Sequence, residues 1–136
     1  MEIKQVIDFT QTHLKNEKTG HDFYHGERVA NLASQMYLAD HADAHEDSRV
    51  VAIIKTAGYL HDTIDEKICA DPQKVIDEIK VLLPQVGFNE LEAWDILFTI
   101  QHMSFSANIE HHYHLPLSGQ YVQDADRLES LGAIGI

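Results

Sequence analysis

The sequence predicts a single, compact all-α domain, and two observations support that prediction. Apolar residues recur every three to four positions through six segments, which is the spacing of one face of an α-helix. No segment shows the alternation of apolar and polar residues that is typical of a half-buried strand. With 136 residues, the chain has room for one domain and can bury a core of useful size.

The expected helices are separated by residues that typically begin or end helices. Asp71-Pro72 supplies a cap followed by a first-turn proline, Pro84 and Gly87 are expected to end that helix, and Asn89 is expected to cap the next. The segment 46–62 is apolar on almost every side, which is typical of a central, buried helix. Helices are expected at residues 2–15, 22–39, 46–62 and 71–83, after Asn89 up to a loop at 103–117, and at 119–132.

Composition excludes several classes of function. The formal net charge is −12 with no block of lysines or arginines, which argues against a duplex nucleic acid partner, since such partners are bound through cationic contacts to phosphates. Cys69 is the single cysteine, so no intrachain disulfide can form, and this fits a reducing cytoplasm. The first residues lack the plan of a signal peptide, and the longest apolar stretch, 50–60, is too short to span a bilayer. We therefore expect a cytoplasmic protein without a membrane partner.

The dipeptide His61-Asp62 is the first candidate for chemistry. It ends the most apolar helix, where an imidazole and a carboxylate are costly to bury unless each has a partner, and a cation supplies one. Asp65 follows one turn later on the same face. On the second helix, His25 lies one turn after Asp22, whose carboxylate is expected to accept from the far imidazole nitrogen and fix its tautomer. Asp126 lies on the last helix, between inward-facing apolar residues.

These residues form a mixed set of nitrogen and oxygen donors, and the ten histidines of the chain supply more imidazoles than most sequences of this length. Such a set suits one divalent transition metal (Mn, Fe, Co, Ni or Zn, with Mg also compatible) better than Ca. A bound cation would be able to polarise a phosphoryl oxygen and activate a water, which is chemistry that suits the hydrolysis of a small phosphate ester.

The order of these residues resembles the H…HD…D signature of the HD superfamily of metal-dependent phosphohydrolases. The flanking segments 20–29 and 57–62 resemble the first two motifs of that family. The segments 100–106 and 122–136 are similar to motifs of a small bacterial subgroup of nucleotide pyrophosphatases. The signature is carried by His25, His61, Asp62 and Asp126.

The resemblance implies an HD-type helical bundle over residues 1–136 in which those four residues hold the metal, with His61 and Asp62 at the catalytic centre. It also implies that Asp65 positions the attacking water and that a nucleoside triphosphate is cleaved to a monophosphate and pyrophosphate. Family members usually continue with further helices after the last motif. The apolar end at 131–136 is therefore expected to belong to an incomplete chain, or to pack against a second copy in a homodimer.

Other polar residues have both a functional and a structural interpretation. Arg28, Arg127 and His102 are candidate contacts for a substrate phosphate. The alternative for the two arginines is a structural ion pair with Asp22 or Asp124, and His102 would otherwise form a hydrogen bond in the core. Three further histidines are expected on the solvated surface, and the cluster 111–114 in a solvated loop or a lid over the pocket; the surface histidines are His13, His41 and His45.

Two rival functions remain open from the sequence. A metal-dependent nucleotide sensor without turnover would use the same ligands and would bind nucleotide without forming product. A two-iron oxygenase on the same scaffold would need extra histidines, for which His102 and the loop cluster 111–114 are the candidates.

Overall fold

The computed structural model describes residues 1–15, 22–65, 69–104 and 113–135, with side chains up to residue 131. Within these ranges the chain forms helices and no strand, so the prediction of an all-α domain is confirmed. In the same ranges, no helix combines the length and the apolar character needed to cross a membrane. The helices, in chain order, are α1 (Lys4–Leu14), α2 (Phe23–Asp40), α3 (Arg49–Leu60), α4 (Pro72–Val86), α5 (Glu90–His102) and α6 (Leu117–Gly135).

The capping residues agree with the sequence at two of the predicted starts. The Asp71 carboxylate accepts from the backbone of Lys74 at the start of α4. Asn89 and Glu92 form a reciprocal capping box at the start of α5. The prediction that Pro84 ends α4 is wrong, because the helix continues through it to Val86. The helix ends at Gly87, whose φ of 116° is left-handed and suits glycine.

Helix α3 is the central element of the domain, as its apolar pattern predicts. It packs against α1, α2, α5 and α6, and residues such as Ile54 and Leu60 are fully buried. Val50, expected to face inward, is instead partly exposed near the start of α3. Four more apolar residues predicted on inward faces are at least half exposed, because no described element covers those sides of α5 and α6; they are Leu91, Trp94, Leu128 and Leu131.

Helices α2 and α3 approach each other closely at Gly58. A Cβ atom added to Gly58 would lie 2.7 Å from the Cα and 2.9 Å from the Cβ of Ala30 on α2. Gly26 also faces α3, but a Cβ there would meet the carbonyl oxygen of Tyr59 at an ordinary 3.4 Å. Helix α6 packs against both α2 and α3. Three helices therefore meet where the candidate ligands lie.

The surface histidines differ in their surroundings. His45 is exposed, as expected. The same expectation is wrong for His13 and His41, which are partly buried and stack on an aromatic ring one turn earlier, Phe9 and Tyr37 respectively. Each donates Nδ1–H to the carbonyl of that aromatic residue at 2.9 Å. An imidazole can thus bury its ring face while satisfying its nitrogen, which explains the difference.

Candidate metal centre

Local structure brings the four candidate ligands to one place from three helices. His25 lies in the first turn of α2, where the Asp22 carboxylate accepts from its backbone N–H at 2.9 Å. His61 is the C-cap of α3, and Asp62 follows it in the turn that leaves the helix. Asp126 lies midway along α6. His25 and Asp126 are far apart in the sequence, and the packing of α6 on α2 and α3 brings them together.

The Nε2 atoms of both imidazoles point at the two carboxylates. His25 Nε2 lies 3.0 Å from Asp126 Oδ1 and 3.9 Å from Asp62 Oδ2. His61 Nε2 lies 3.3 Å from Asp62 Oδ1 and 3.5 Å from Asp126 Oδ1. One donor atom each from His25, His61 and Asp62 fall within 4.8 Å of one another. This is the spacing at which several side chains can share one cation.

The tautomer of His61 is set by the backbone of its own helix. Its Nδ1 lies 2.6 Å from the carbonyl oxygen of Gly58, and a carbonyl can only accept, so Nδ1 carries a proton. In the neutral ring, Nε2 therefore keeps its lone pair. That nitrogen is buried and forms no hydrogen bond with any residue that the structure describes. A buried nitrogen of this kind is costly unless a cation or a proton occupies its lone pair, so the donor set fits a metal ion.

The pKa shifts within the cluster also favour a bound cation. Burial lowers the pKa of His61, but the carboxylates of Asp62 and Asp126 outweigh it and raise that pKa to about 9. Burial raises the pKa of Asp126, yet His25 and His61 bring it well below its ordinary value. The two carboxylates thus favour positive charge on the imidazole side, and a divalent cation supplies that charge directly.

Exposure is graded across the cluster. The side chain of His61 is 5% exposed and that of Asp62 8%, whereas His25 is 14% and Asp126 29% exposed. The cluster is therefore more open to solvent on the side of α2 and α6. The closed side is formed by the end of α3.

The predicted role of Asp22 is wrong in its detail. Its carboxylate caps α2 by binding the backbone of His25, so it orients this ligand through the helix and not through the ring. Asp65 lies three residues beyond Asp62 and is partly buried, and its backbone carbonyl accepts from Cys69. Its role toward a water stays a prediction.

The three candidate substrate contacts have different surroundings. Arg28 pairs with Glu129 of α6 and not with Asp22, because α6 crosses α2 at this point. Arg127 is exposed on α6. The ring of His102 stacks on that of Phe98, with 4.4 Å between the ring centroids, and its Nδ1 donates to the Phe98 carbonyl. Residues 111 and 112 of the histidine cluster lie outside the described ranges.

Two residues beside the candidate ligands, Gly58 and Glu129, were not identified from the sequence. The Gly58 carbonyl lies three residues before His61, the distance at which a residue at a helix end can bond back to the last turn. Glu129 follows Asp126 by three residues, as Arg28 follows His25, so each lies near the ligand on its own helix, but their pairing depends on the packing of α6 on α2.

Together, the fold and the cluster define an all-α protein with a candidate divalent-metal centre of two histidines and two aspartates. No protein-family model matches the chain. It is 33% identical over 134 residues to the uncharacterized protein YpgQ of Bacillus subtilis (strain 168), a match that covers 98% of this chain and 62% of that protein.

A crystal structure of a Lactobacillus plantarum protein, solved as a structural genomics target, is similar in fold, with a TM-score of 0.74 and 34% identity. That match covers 99% of this chain and 61% of the other. The chain therefore spans less than two thirds of the length of either relative.

Proposed function

We propose that the protein is a metal-dependent phosphohydrolase of the HD type whose substrate is a nucleotide, cleaved between its phosphates. The observation that carries this proposal is the convergence of His25, His61, Asp62 and Asp126 around a buried, tautomer-defined imidazole nitrogen. The nucleotide, and the release of pyrophosphate from a triphosphate, rest on the resemblance of the sequence motifs to nucleotide pyrophosphatases.

The four side chains would hold the cation with two neutral nitrogens and two carboxylates. A divalent transition metal bound there would act as a Lewis acid on a phosphoryl oxygen and lower the pKa of a water. Because Asp62 and Asp126 balance a charge of +2, an anionic phosphate would meet no net repulsion at the metal. A substrate would approach from the more exposed side of His25 and Asp126, while the end of α3 would keep water from the other side.

The proposed activity is tested with purified protein stripped of metal and reloaded separately with Mn, Co, Ni, Zn or Mg. Each form is offered nucleoside mono- and triphosphates and an aryl phosphate, and pyrophosphate is resolved from orthophosphate. We expect pyrophosphate from triphosphates. Orthophosphate from monophosphates would make the protein a nucleotidase. Metal-dependent nucleotide binding without product would favour a sensor, and an oxygen-dependent reaction with a pair of irons would favour the two-iron oxygenase.

Asp65 is expected to contribute to turnover and not to metal binding. Replacing it with asparagine removes a proton acceptor next to the ligand Asp62 while keeping the shape of the side chain, so we expect kcat to fall by about 10²- to 10⁴-fold, the range of general-base catalysis. Metal content, measured by atomic emission after dialysis, should equal that of the unchanged protein. The control is Asp43→Asn, which removes one exposed carboxylate between α2 and α3. Full activity in Asp65→Asn would refute this role.

A further inference from the structure

Arg28 and Glu129 extend the candidate centre by one helical turn. Arg28 follows the ligand His25 by three residues on α2, and Glu129 follows the ligand Asp126 by three residues on α6. Three residues correspond to about 4.5 Å along a helix axis. The pair therefore joins the two helices beside the contact between His25 and Asp126, on the side from which solvent reaches the cluster.

The Arg28 guanidinium is held at one corner only. Its Nε donates to Glu129 Oε1, and neither terminal nitrogen forms a hydrogen bond within the described part of the chain. Its side chain is 55% exposed, against 23% for Glu129. Arg49 provides the contrast, because it binds both carboxylate oxygens of Glu92 and the Gly87 carbonyl. Arg49 thus joins α3 to α5 through its ion pair with Glu92, whereas the two terminal nitrogens of Arg28 remain available to a ligand.

We propose that Arg28 binds a phosphate group of the substrate through its two terminal nitrogens, and that Glu129 is a positioning residue that orients the guanidinium through Nε. A guanidinium presents paired donors that match two phosphate oxygens. In a chain with a net charge of −12, a cation beside the metal ligands also offsets the repulsion that a polyphosphate would meet. The inference rests on the proposed function for the identity of the ligand. It adds that Arg28 binds the phosphate group next to the phosphate that the metal would hold.

The test is calorimetric titration of the manganese-loaded protein, freed of excess metal by dialysis, with inorganic phosphate and with pyrophosphate. Metal content is measured before and after each titration. Arg28→Gln should weaken pyrophosphate binding by about 10- to 100-fold, the range of a hydrogen-bonded charged pair. Arg28→Lys should lose less, since a lysine keeps the charge without the paired donors. Glu129→Gln should weaken binding several-fold and raise KM for the nucleotide more than it lowers kcat.

Matched controls separate this role from overall charge and from folding. Lys80→Gln on α4 removes one exposed positive charge elsewhere, and Asp124→Asn on α6 removes one exposed negative charge near Glu129. Both variants should bind pyrophosphate with the affinity of the unchanged protein, to within about twofold. The urea midpoint of the metal-free Arg28 and Glu129 variants should change little, because an exposed ion pair contributes little to stability.

The outcomes distinguish this inference from the proposed function. Hydrolysis by the unchanged protein together with unaltered pyrophosphate binding in Arg28→Gln would overturn the inference alone. Tighter binding in Glu129→Gln than in Asp124→Asn would show that Glu129 sequesters Arg28, and would overturn the positioning role. Arg28-dependent binding without turnover would support the inference and would contradict the proposed hydrolase activity. A manganese-loaded protein that neither binds pyrophosphate nor hydrolyses nucleotides would overturn both.

Discussion

His61→Ala is expected to abolish metal retention and phosphohydrolase activity together. The side chain of His61 is the most buried among the four candidate ligands, and its Nε2 faces both carboxylates. Loss of a partner that only orients a ligand typically costs 10- to 100-fold in metal affinity or activity, so loss of the ligand itself should cost more than about 100-fold. Its removal also deprives the carboxylates of Asp62 and Asp126 of the imidazole nitrogen that both approach.

The measurement is metal content by atomic emission after dialysis, alongside activity on nucleoside triphosphates. A second readout is thermal unfolding with and without manganese, because a ligand at 100 times its dissociation constant stabilises the folded state by about 2.7 kcal/mol. This increment should vanish in His61→Ala. His45→Ala, which removes an exposed histidine outside the cluster, is the control and should keep both metal and activity. A His61→Ala protein that is active and replete with metal would refute the assignment.

Gly58→Ala is expected to destabilise the fold and weaken metal binding at the same time. The added methyl would overlap the backbone and Cβ of Ala30, neither of which can rotate away. Overpacking of this kind typically costs about 1–3 kcal/mol. Because α2 carries His25 and α3 ends at His61, separating the helices also moves the two imidazoles apart. Metal–ligand distances in bound sites fall within about 0.2 Å of their standard values, so moving the two imidazoles apart should lower the affinity for the metal.

Gly26→Ala is the matched control for this prediction. It adds the same methyl at the same helix pair, but the nearest atom, the Tyr59 carbonyl oxygen, lies at an ordinary contact distance of 3.4 Å. Alanine is also favoured over glycine inside a helix by about 1 kcal/mol, so this variant should be neutral or slightly more stable. Stability is measured by urea unfolding of metal-free protein, and affinity by manganese titration. Equal behaviour of the two variants would show that the close approach at Gly58 does not set the ligand spacing.

Local sequence was sufficient for the helical elements and for the choice of candidate ligands. Helical periodicity depends on neighbours three and four residues apart, and caps such as Asp71 and Asn89 act on the backbone next to them. The candidate ligands His25, His61, Asp62 and Asp126 also came from the sequence, since their residue types and order carry the resemblance. The structure brings these four side chains together, while the metal and the reaction stay predictions.

Tertiary structure decided the partners of the charged residues and the exposure of several apolar ones. Arg28 pairs with Glu129, 101 positions away, where the sequence suggested Asp22 nearby. Asp22 binds the backbone of His25 because its position as the N-cap puts its carboxylate next to free N–H groups. Leu91 and Trp94 fit an inward face by periodicity but remain exposed. Periodicity defines which side of a helix is apolar, whereas only the packing of distant helices determines which apolar side is covered and which charges meet.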